Sequence, residues 1–390
     1  MRIEHISHFE RFLELKSEWN LLRPGPEPGS GSGSGWGSGS EPESGSFSPA
    51  LTHEWFSAWL QAFGKDIDLA ILALFDQEKS AISAEKLVGV APMRIVRATY
   101  RGIRCGQLRF LYNRHGPRCS FLMRDGYAHH TYALLEEALK LRGWDIAVLE
   151  NIAHDSYLYE LCTSVRDSLR HSTLLRRTMS SPFLKIAGSW EDFFNTRPRN
   201  LRRSLRSKER KLSAEGGMRI EHFTDATSSV SIMPTLVALG EKSWKARGGR
   251  AIGSQPESRR FYSLLAETFG KQGQVSVWLM KVNDKPAAFE FHLTKDKEVQ
   301  ALRAEFDEKY RSLGVGSILD KEIVKTLFES GYKEYDMGGE SDFYKLRWTE
   351  DVRQHSELLV FSNSALGKLL CTVEKGVVEP IKRVVKPRKS

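Results

Sequence analysis

The chain has 390 residues, 40% of them hydrophobic, which is enough to bury the core of two ordinary domains or one elaborate domain. It contains no run of eighteen or more apolar residues, and its N-terminus lacks an apolar block followed by a small-residue cleavage site. We therefore expect a cytoplasmic protein that is not integral to a membrane. The formal net charge of +9 favours anionic partners such as nucleotides, nucleic acid, phosphorylated intermediates or an anionic membrane surface, without choosing among them.

The four cysteines are widely spaced along the chain, at Cys105, Cys119, Cys162 and Cys371. They form no Cys-x-x-Cys pair and have no nearby pair of histidines, so neither a zinc site nor a disulfide framework is indicated. We expect buried, reduced thiols and a protein that needs no metal.

Residues 24–49 consist almost wholly of Gly, Ser, Pro and Glu. This composition cannot bury enough surface to become ordered, and it predicts a flexible linker or insertion. A natural low-complexity segment and an engineered linker would have the same sequence. The flanking stretches "FERFLELKSEWNLL" and "LTHEWFSAWLQAF" both have helical apolar spacing, with Thr52 as the expected N-cap of the second helix.

The first half of the chain shows strands followed by a helix and another strand. "DLAILALFD" and "KLVGVAPMRIVRATYRGI" predict strands, "HTYALLEEALKLRG" predicts a helix that ends at Gly143, and "WDIAVLENI" predicts a strand. We assign residues 1–23 plus 50–180 to an N-terminal α/β subdomain.

A similar series follows from residue 181. A helix closed by Gly216 and Gly217 precedes two more helices, and the strands "QVSVWLMKV", "PAAFEFHL" and "EVQALRAEFD" come next, the first two joined by a turn at Asn283 and Asp284. A helix over 317–330 and the strand "YKEYDMGG" complete the set. The repeat of this pattern predicts a second α/β subdomain over 181–370 and a basic C-terminal tail over 371–390.

Two glycines in "RSLGVGSILDKEI" lie between a predicted strand and a predicted helix. Glycines in such a turn are often required only for backbone conformation. Here the strand delivers the turn at its carboxyl end, and the following helix directs its N–H groups and positive dipole to the same point. The pattern R-x-x-G-x-G therefore predicts a phosphate-binding loop, formed by Arg311, Leu313, Gly314, Val315 and Gly316.

The longer run "FDEKYRSLGVGSILDKEIVKTLFESGYKEYDMGGESDFYKLRW" resembles the C-terminal part of GNAT-type acetyltransferases of the CelD/BcsL group, which are linked with cellulose and exopolysaccharide production, and of the related Fem peptidyltransferases. The resemblance covers residues 180–360. It implies an α/β fold of two tandem GNAT-like subdomains, each a mixed, mainly antiparallel sheet flanked by helices. It also implies that the R-x-x-G-x-G loop binds the pyrophosphate of acetyl-CoA or another acyl-CoA.

The resemblance extends to "DFYKLRW", where Fem proteins place a lysine that stabilises the charge developing in acyl transfer. Lys345 holds that position here, and Tyr344 before it is a candidate for protonating the leaving thiolate. A lysine after two aromatic residues can equally lie exposed, with its stem across an apolar surface.

Acyl transfer to an amine also requires a base, because a protonated amine cannot attack a thioester. Glu290 and His292 interrupt an apolar strand and share one face of it by their i, i+2 spacing. Glu305 and Asp307 on the next strand are further candidates, although polar residues on a strand are more often solvated or paired than catalytic.

Residues 197–211 hold eight basic residues and one acidic residue around a leucine stripe. A solvated helix is one interpretation of this pattern, and an anion-binding helix is the other. From the resemblance, Arg202, Arg203 and Arg206 are candidates for binding the acceptor. Trp244 and Lys245 in "EKSWKARGG" match a Trp-Lys segment of the family that borders the acceptor pocket, although helix capping and a core tryptophan would produce the same letters.

We thus expect an N-acyltransferase that moves an acyl group, in the first instance acetyl, from acyl-CoA to an amine of a small or sugar-linked polar acceptor in exopolysaccharide or envelope synthesis. Direct attack in a ternary complex is expected, since no Cys-His or Ser-His pair stands out. Two alternatives stay open: a Fem-like transferase that uses aminoacyl-tRNA, and a GNAT fold that only binds.

Overall fold

A computed structural model describes residues 1–24, 48–76, 85–164 and 169–378. The linker predicted over 24–49 lies almost entirely outside these residues, and so does the basic end of the chain after residue 378. In the part of the chain that is described, no helix is long and apolar enough to cross a membrane.

The strands are β1 (Arg2–Ile6), β2 (Asp68–Leu69), β3 (Ile71–Asp76), β4 (Lys86–Ala91), β5 (Met93–Tyr100), β6 (Ile103–Phe110), β7 (Leu122–Met123), β8 (Ile146–Ala153), β9 (Ser172–Lys185), β10 (Met218–Phe223), β11 (Val275–Val282), β12 (Lys285–Lys295), β13 (Glu298–Phe306), β14 (Glu334–Asp336) and β15 (Val352–Phe361). The α-helices are α1 (Phe9–Leu13), α2 (Lys16–Trp19), α3 (His53–Phe63), α4 (Thr131–Lys140), α5 (Tyr157–Ser164), α6 (Trp190–Thr196), α7 (Arg199–Ala214), α8 (Ala226–Gly240), α9 (Pro256–Gly270), α10 (Val315–Glu329) and α11 (Ala365–Val373).

The chain divides into two compact units, each made of separate stretches of sequence. The first unit comprises Met1–Phe47, Gly64–Met179 and Gln354–Ser390, and the second comprises Ser48–Phe63 and Ser180–Arg353. This division differs from the predicted boundaries in two places, because α3 belongs to the second unit and most of β15 together with α11 belongs to the first.

Packing explains both differences. The ring of Trp55 on α3 meets that of Phe261 on α9 edge to face, with 5.0 Å between centroids. On β15, Leu358 and Val360 pair with β8 and are buried in the core of the first unit. These contacts join segments far apart in sequence, so local patterns do not indicate them.

Within the first unit, one antiparallel sheet has the order β1-β3-β4-β7, and the other strands follow the order β9-β15-β8-β6-β5-β2. β5 and β6 form an antiparallel hairpin, and β8 returns parallel to β6 after α4. Leu134, Leu135 and Ala138 of α4 are buried in the core because they share one face of the helix.

Within the second unit the strand order is β10-β11-β12-β13-β14-β9. The pairs from β10 to β13 are antiparallel, and β14 returns parallel to β13 after α10. Asn283 and Asp284 both have positive φ in the turn between β11 and β12, as the sequence predicts. The prediction of an α/β fold with two subdomains, each with a mixed, mainly antiparallel sheet flanked by helices, is confirmed.

Two predicted elements are divided by proline. Pro198 separates α6 from α7, and Pro92 separates β4 from β5, since proline supplies no N–H and resists both helix interiors and central strand positions. The predicted N-cap of α3 is confirmed, because the Trp55 N–H donates to Thr52 Oγ1 at 3.3 Å.

Candidate active site

Strands β13 and β14 separate after a short stretch of pairing, and a cavity lies where they part. Their parallel pairing runs only from Glu298 with Glu334 to Gln300 with Asp336. Beyond it, residues 301–304 of β13 and residues 337–339 after β14 line a cavity of about 220 Å³ in the second unit.

Gly338 sets how closely the two sides of this cavity can approach. Its φ is +59°, and a Cβ atom there would lie 2.6 Å from the carbonyl oxygen of Ala301. Both the conformation and the close approach favour glycine.

Charged and phenolic side chains from β12, β13, α10, β14 and two loops converge on the cavity. They are Lys245, Glu290, Arg303, Asp320, Tyr335, Glu340, Asp342, Tyr344 and Lys345. Four of them, Lys245, Glu290, Tyr344 and Lys345, are candidates from the sequence, and the fold brings these four together although they span 100 residues of chain.

Glu290 and His292 lie on the same face of β12, as their spacing predicts. His292 Nε2 is 2.9 Å from Glu290 Oε2, and the Tyr335 hydroxyl donates to the same carboxylate oxygen at 3.3 Å. His292 is fully buried, whereas Glu290 lines the cavity. Glu290 is therefore the member of the pair that can meet a substrate, and His292 and Tyr335 hold it in position.

Lys345 points its amine at backbone carbonyls rather than at solvent. Its Nζ donates to Gly338 O and to Glu340 O, and Asp342 Oδ2 is 3.9 Å away. Burial lowers the pKa of Lys345. The preceding Tyr344 is 44% exposed and lies at the edge of the cavity.

Lys245 enters the cavity from the loop after α8. Its Nζ donates to the carbonyl oxygen of Ala304 on β13 at 2.8 Å. Burial, assisted by the nearby Arg303 guanidinium, lowers the pKa of Lys245 to about 8.

Asp320 is a cavity residue that the sequence interpretation missed. It lies on α10, is 5% exposed and accepts a hydrogen bond from the Trp348 indole N–H. Burial, together with the negative charge of Glu290, raises the pKa of Asp320. A signal was present in the sequence, because Asp320 falls three and four residues before Ile323 and Val324 on the apolar face of the helix, where a carboxylate is uncommon.

The remaining acidic candidates have structural contacts. Glu305 accepts hydrogen bonds from the Ile252 N–H at 2.9 Å and from the Ser243 hydroxyl at 3.3 Å, so it fastens the loop that carries Lys245. Asp307 caps a 3-10 turn through the Lys309 N–H.

The R-x-x-G-x-G loop forms the beginning of α10. Gly314 adopts a left-handed conformation, with φ +70°, immediately before the helix starts at Val315. A side chain on Gly314 would meet the stem of Lys208, whose Nζ donates to Ser317 Oγ at 2.8 Å. Lys208 thus adds a cation to the N-terminus of α10, which the motif alone did not predict.

The other members of the predicted loop differ in their surroundings. Arg311 is exposed and pairs with Glu308 at 2.6 Å. Val315 is buried, Leu313 packs against the core, and Gly316 has only the Phe306 ring at van der Waals distance from its Cβ position.

The basic residues of α7 lie on a different surface from the cavity lining. Arg203 and Arg206 border an open groove together with Arg210, and Arg202 donates to the carbonyl oxygen of Arg197. Trp244 is 40% exposed, with the Arg250 guanidinium 5.4 Å from its ring centroid. Of the predicted acceptor-binding residues, only Lys245 lines the cavity.

Within the ranges that the structure describes, no group of three or more His, Cys, Asp or Glu side chains is arranged to hold a metal ion.

Residues 199–346 match a family described as acetyltransferase (GNAT) domain. Over this segment the chain is similar to GNAT acetyltransferase domains. The match begins with α7 and ends directly after Lys345, so it contains the glycine loop and every residue that lines the cavity. GNAT domains characteristically bind acyl-CoA.

Solved structures with the same fold cover nearly the whole chain. A conserved protein of unknown function from Bacteroides thetaiotaomicron is 10% identical with a TM-score of 0.54, over 93% of this chain and 100% of that chain. FemX is 11% identical with a TM-score of 0.53, over 95% and 100% of the two chains. A tandem GNAT protein from the clavulanic acid biosynthesis pathway is 10% identical with a TM-score of 0.49, over 93% and 100%. No curated protein sequence matches the chain.

Proposed function

We propose that this protein is an N-acyltransferase that moves an acyl group from acyl-CoA to an amine of a polar acceptor. The observation that carries the proposal is that α10 joins two features: its N-terminus holds the glycine loop, and Asp320, six residues further on, lines the cavity. At 1.5 Å per residue the two points are about 9 Å apart along the helix axis. A donor with phosphates at one end and an acyl group at the other suits this arrangement.

The phosphates of the donor would bind at the start of α10. Backbone N–H groups of the first turn, the helix dipole and the Lys208 ammonium all favour an anion there. Gly314 and Gly316 leave the backbone accessible. Arg311 lies at the end of the preceding turn and can add its charge.

The chemistry would take place between β13 and β14. Glu290 accepts a proton from the acceptor ammonium, and the free amine attacks the thioester carbonyl. The carbonyl oxygen gains negative charge, which the Lys345 ammonium stabilises. When the carbon–sulfur bond breaks, Tyr344 gives its proton to the thiolate, and the second proton lost by the nitrogen returns to the phenolate oxygen. The products are the amide, free CoA and protonated Glu290.

The acceptor class is a finer part of the proposal. A sugar-linked amine, as in the CelD/BcsL-like enzymes of exopolysaccharide or envelope synthesis, would suit a domain with basic groups at Arg202, Arg203 and Arg206 and an exposed aromatic ring at Trp244. A sugar-linked acceptor of this kind carries phosphate, and an arginine side chain binds a phosphate group through two parallel hydrogen bonds.

Calorimetric titration with acetyl-CoA tests donor binding. We compare Gly314→Glu with Gly331→Glu, because both glycines have φ near +70° and Gly331 ends α10 with no atom near its Cβ position. Both variants bear the same backbone strain, but only Gly314→Glu brings a carboxylate to the N-terminus of α10. We expect at least a tenfold loss of affinity for Gly314→Glu alone. Unchanged binding in this variant, or no binding by the wild type, would contradict the proposal.

A second candidate is a Fem-like transferase that takes its acyl group from aminoacyl-tRNA. The basic groove along α7 favours it, because Arg203, Arg206 and Arg210 face one surface with Glu209 as the acidic residue among them. Filter binding with charged tRNA over a range of salt concentrations tests this candidate. Affinity that falls steeply with salt, combined with no binding of acetyl-CoA, would favour it over the first. Binding of neither ligand would leave a GNAT domain that acts as a binding module for another partner.

A further inference from the structure

The Lys245 amine keeps unused hydrogen-bonding capacity inside the cavity. A lysine ammonium has three donors, yet Lys245 Nζ makes one hydrogen bond, to Ala304 O, within the residues that the structure describes. In the same residues no carboxylate oxygen comes within ion-pair distance of it. The rest of the amine faces the space that Glu290 and Lys345 also line.

Lys345 provides a direct contrast across the same cavity. Its amine donates two hydrogen bonds, to Gly338 O and Glu340 O, and Asp342 Oδ2 lies 3.9 Å from it. Burial lowers the pKa of Lys345, but the Asp342 carboxylate opposes this shift and favours the charged amine, which is not nucleophilic. Lys245 has no comparable set of acceptors, and the nearby guanidinium of Arg303 repels its positive charge.

This environment raises the share of neutral amine at Lys245. With a pKa of about 8, about one molecule in ten carries an uncharged Lys245 at pH 7. An ordinary exposed lysine is neutral in about one molecule in 3,000 at that pH. A desolvated lysine of this kind is a nucleophile in other enzyme classes.

The Lys245 amine also lies beside the part of the cavity that an acyl group would occupy. Residues 301–304 of β13 line the cavity, and the carbonyl oxygen that Lys245 holds belongs to Ala304 in this segment. A volume of about 220 Å³ has little room beyond an acyl group and the attacking amine. Any thioester carbonyl in the cavity is therefore close to Lys245 Nζ.

We propose that Lys245 is a self-acylation site of this enzyme, which takes an acyl group from the bound thioester when no acceptor amine is present. The inference rests on the proposed function, because the thioester is the acyl-CoA donor. The neutral amine attacks the thioester carbonyl, a carbon–nitrogen bond forms and the carbon–sulfur bond breaks. The proton lost from the nitrogen protonates the departing CoA thiolate, so the products are an amide at Lys245 and free CoA.

The modification would change the cavity in two ways. The amide carries no charge, so Arg303 would lose the repulsion of a neighbouring cation. The acyl group would also occupy volume that the next donor needs. We therefore expect acylated protein to bind acetyl-CoA at least threefold more weakly than unmodified protein.

The test incubates the full chain with acetyl-CoA and without any acceptor amine, and follows acetylation of each lysine by peptide mass spectrometry. Lys242 is the internal control, because it is exposed and lies three residues before Lys245. We expect Lys245 to be acetylated at least tenfold faster than Lys242. The Gly314→Glu variant should lose acetylation at Lys245 and keep the slow background at Lys242, and Lys245→Arg should show only that background.

Three results would overturn the inference, and they differ in what they say about the proposed function. Binding of acetyl-CoA with equal rates at Lys245 and Lys242 would remove the self-acylation site and leave the proposed function intact. Failure of the wild type to bind acetyl-CoA would contradict the proposed function and self-acylation together. Equal acetylation of Lys245 in the wild type and in Gly314→Glu would also overturn the inference, because it would show a reaction that does not use the bound donor.

Discussion

The two units share a layout but differ in what lies where their parallel strands separate. In the first unit β6, α4 and β8 follow the same order as β13, α10 and β14 in the second. The parallel pairing is short in both, ending at Arg109 with Val148 and at Gln300 with Asp336. In the second unit a cavity follows this point.

In the first unit the chain itself occupies the corresponding position. The Cys119 N–H donates to Asn151 O at 3.1 Å, so the segment after β6 lies beside β8. Arg109 pairs with Glu150 at 2.6 Å, and the Asn151 side chain donates to the Tyr112 hydroxyl. The comparison indicates that the fold supplies the strand separation, and that the residues placed in it determine whether a site exists.

The two units also differ in the helix that connects their parallel strands, which is α10 in the second unit and α4 in the first. α10 begins after Gly314 in a left-handed conformation, with Lys208 at its N-terminus. α4 begins after a 3-10 turn at Ala128–His130, without a glycine at its start. The second unit thus combines a glycine-led helix with a cavity, and four predictions test or refine this difference from the first unit.

The largest effect is expected from adding a side chain at Gly338, where the backbone of Ala301 leaves no room for one. Gly338→Val combines an unfavourable positive φ with an overlap at Ala301 O, and it should lower the free energy of unfolding by about 3 kcal/mol. Urea denaturation measures this change. Gly331→Val is the matched control, since it has φ +65° but open space around its Cβ position. Equal losses in the two variants would show that β13 and β14 are not held close at Gly338.

Asp320→Asn should change how stability depends on pH. Burial raises the pKa of Asp320, so the folded protein keeps a proton that the unfolded chain releases as the pH rises above about 4. The wild type therefore loses stability between about pH 4 and about pH 8, whereas asparagine does not ionise. We expect the stability of Asp320→Asn relative to the wild type to increase by about 2 kcal/mol from pH 5 to pH 8.

The control for this variant is Asp342→Asn, which alters an exposed carboxylate beside the same cavity. Denaturant unfolding at several pH values measures both. A constant difference between Asp320→Asn and the wild type across this range would mean that Asp320 is ionised in the folded protein.

Arg109→Met should affect the first unit alone. The variant leaves Glu150 without its ion pair in a position where burial already raises the pKa of the carboxyl group. We expect a loss of about 1–2 kcal/mol in unfolding free energy. Acetyl-CoA affinity should stay within twofold, because the cavity belongs to the second unit. Lys140→Met breaks the exposed Lys140–Glu137 pair and should cost much less stability than Arg109→Met. An equal loss in the two variants would show that the Arg109–Glu150 pair contributes no more than an exposed ion pair.

The smallest effect is expected for Lys245→Met, and it is a gain in stability. The pKa of Lys245 is lowered from 10.5 to about 8 in the folded protein. Between these two pH values the unfolded chain therefore keeps a proton that the folded protein has lost. Wild-type stability therefore rises with pH through this window, and it is reduced at pH 7. The methionine variant should be more stable by about 1 kcal/mol at pH 7, after allowance for partial exposure, with the gain vanishing near pH 10. Lys242→Met should show no such pH-dependent gain.

Much of the site could be predicted because its signals are local. The R-x-x-G-x-G pattern places glycine where α10 begins, and the structure finds Gly314 at positive φ there. The i, i+2 spacing predicted that Glu290 and His292 face the same side, and their side chains meet. Both features depend on the period of one strand or the geometry of one turn.

Other parts of the site could not be derived from spacing. Asp320 is recognisable only as a carboxylate on an apolar face. Its raised pKa depends on burial and then on the charge of Glu290, 30 residues earlier in the chain. Lys208 reaches Ser317 across the packing of α7 on α10. The sequence shows that α7 is a basic helix, but it does not show on which surface of the helix Arg202 and the other arginines lie.

The sequence by itself determined the elements, the order of strand, helix and strand in each half, the glycine turn and the pairing of Glu290 with His292, because each follows from a short period or a local backbone requirement. Only the tertiary structure decided which unit α3 and β15 join, that a cavity lies where β13 and β14 separate, and that Lys345 makes more hydrogen bonds in this cavity than Lys245 does. Burial and the contacts between distant segments set these properties, and neither is encoded in the neighbours of a residue along the chain.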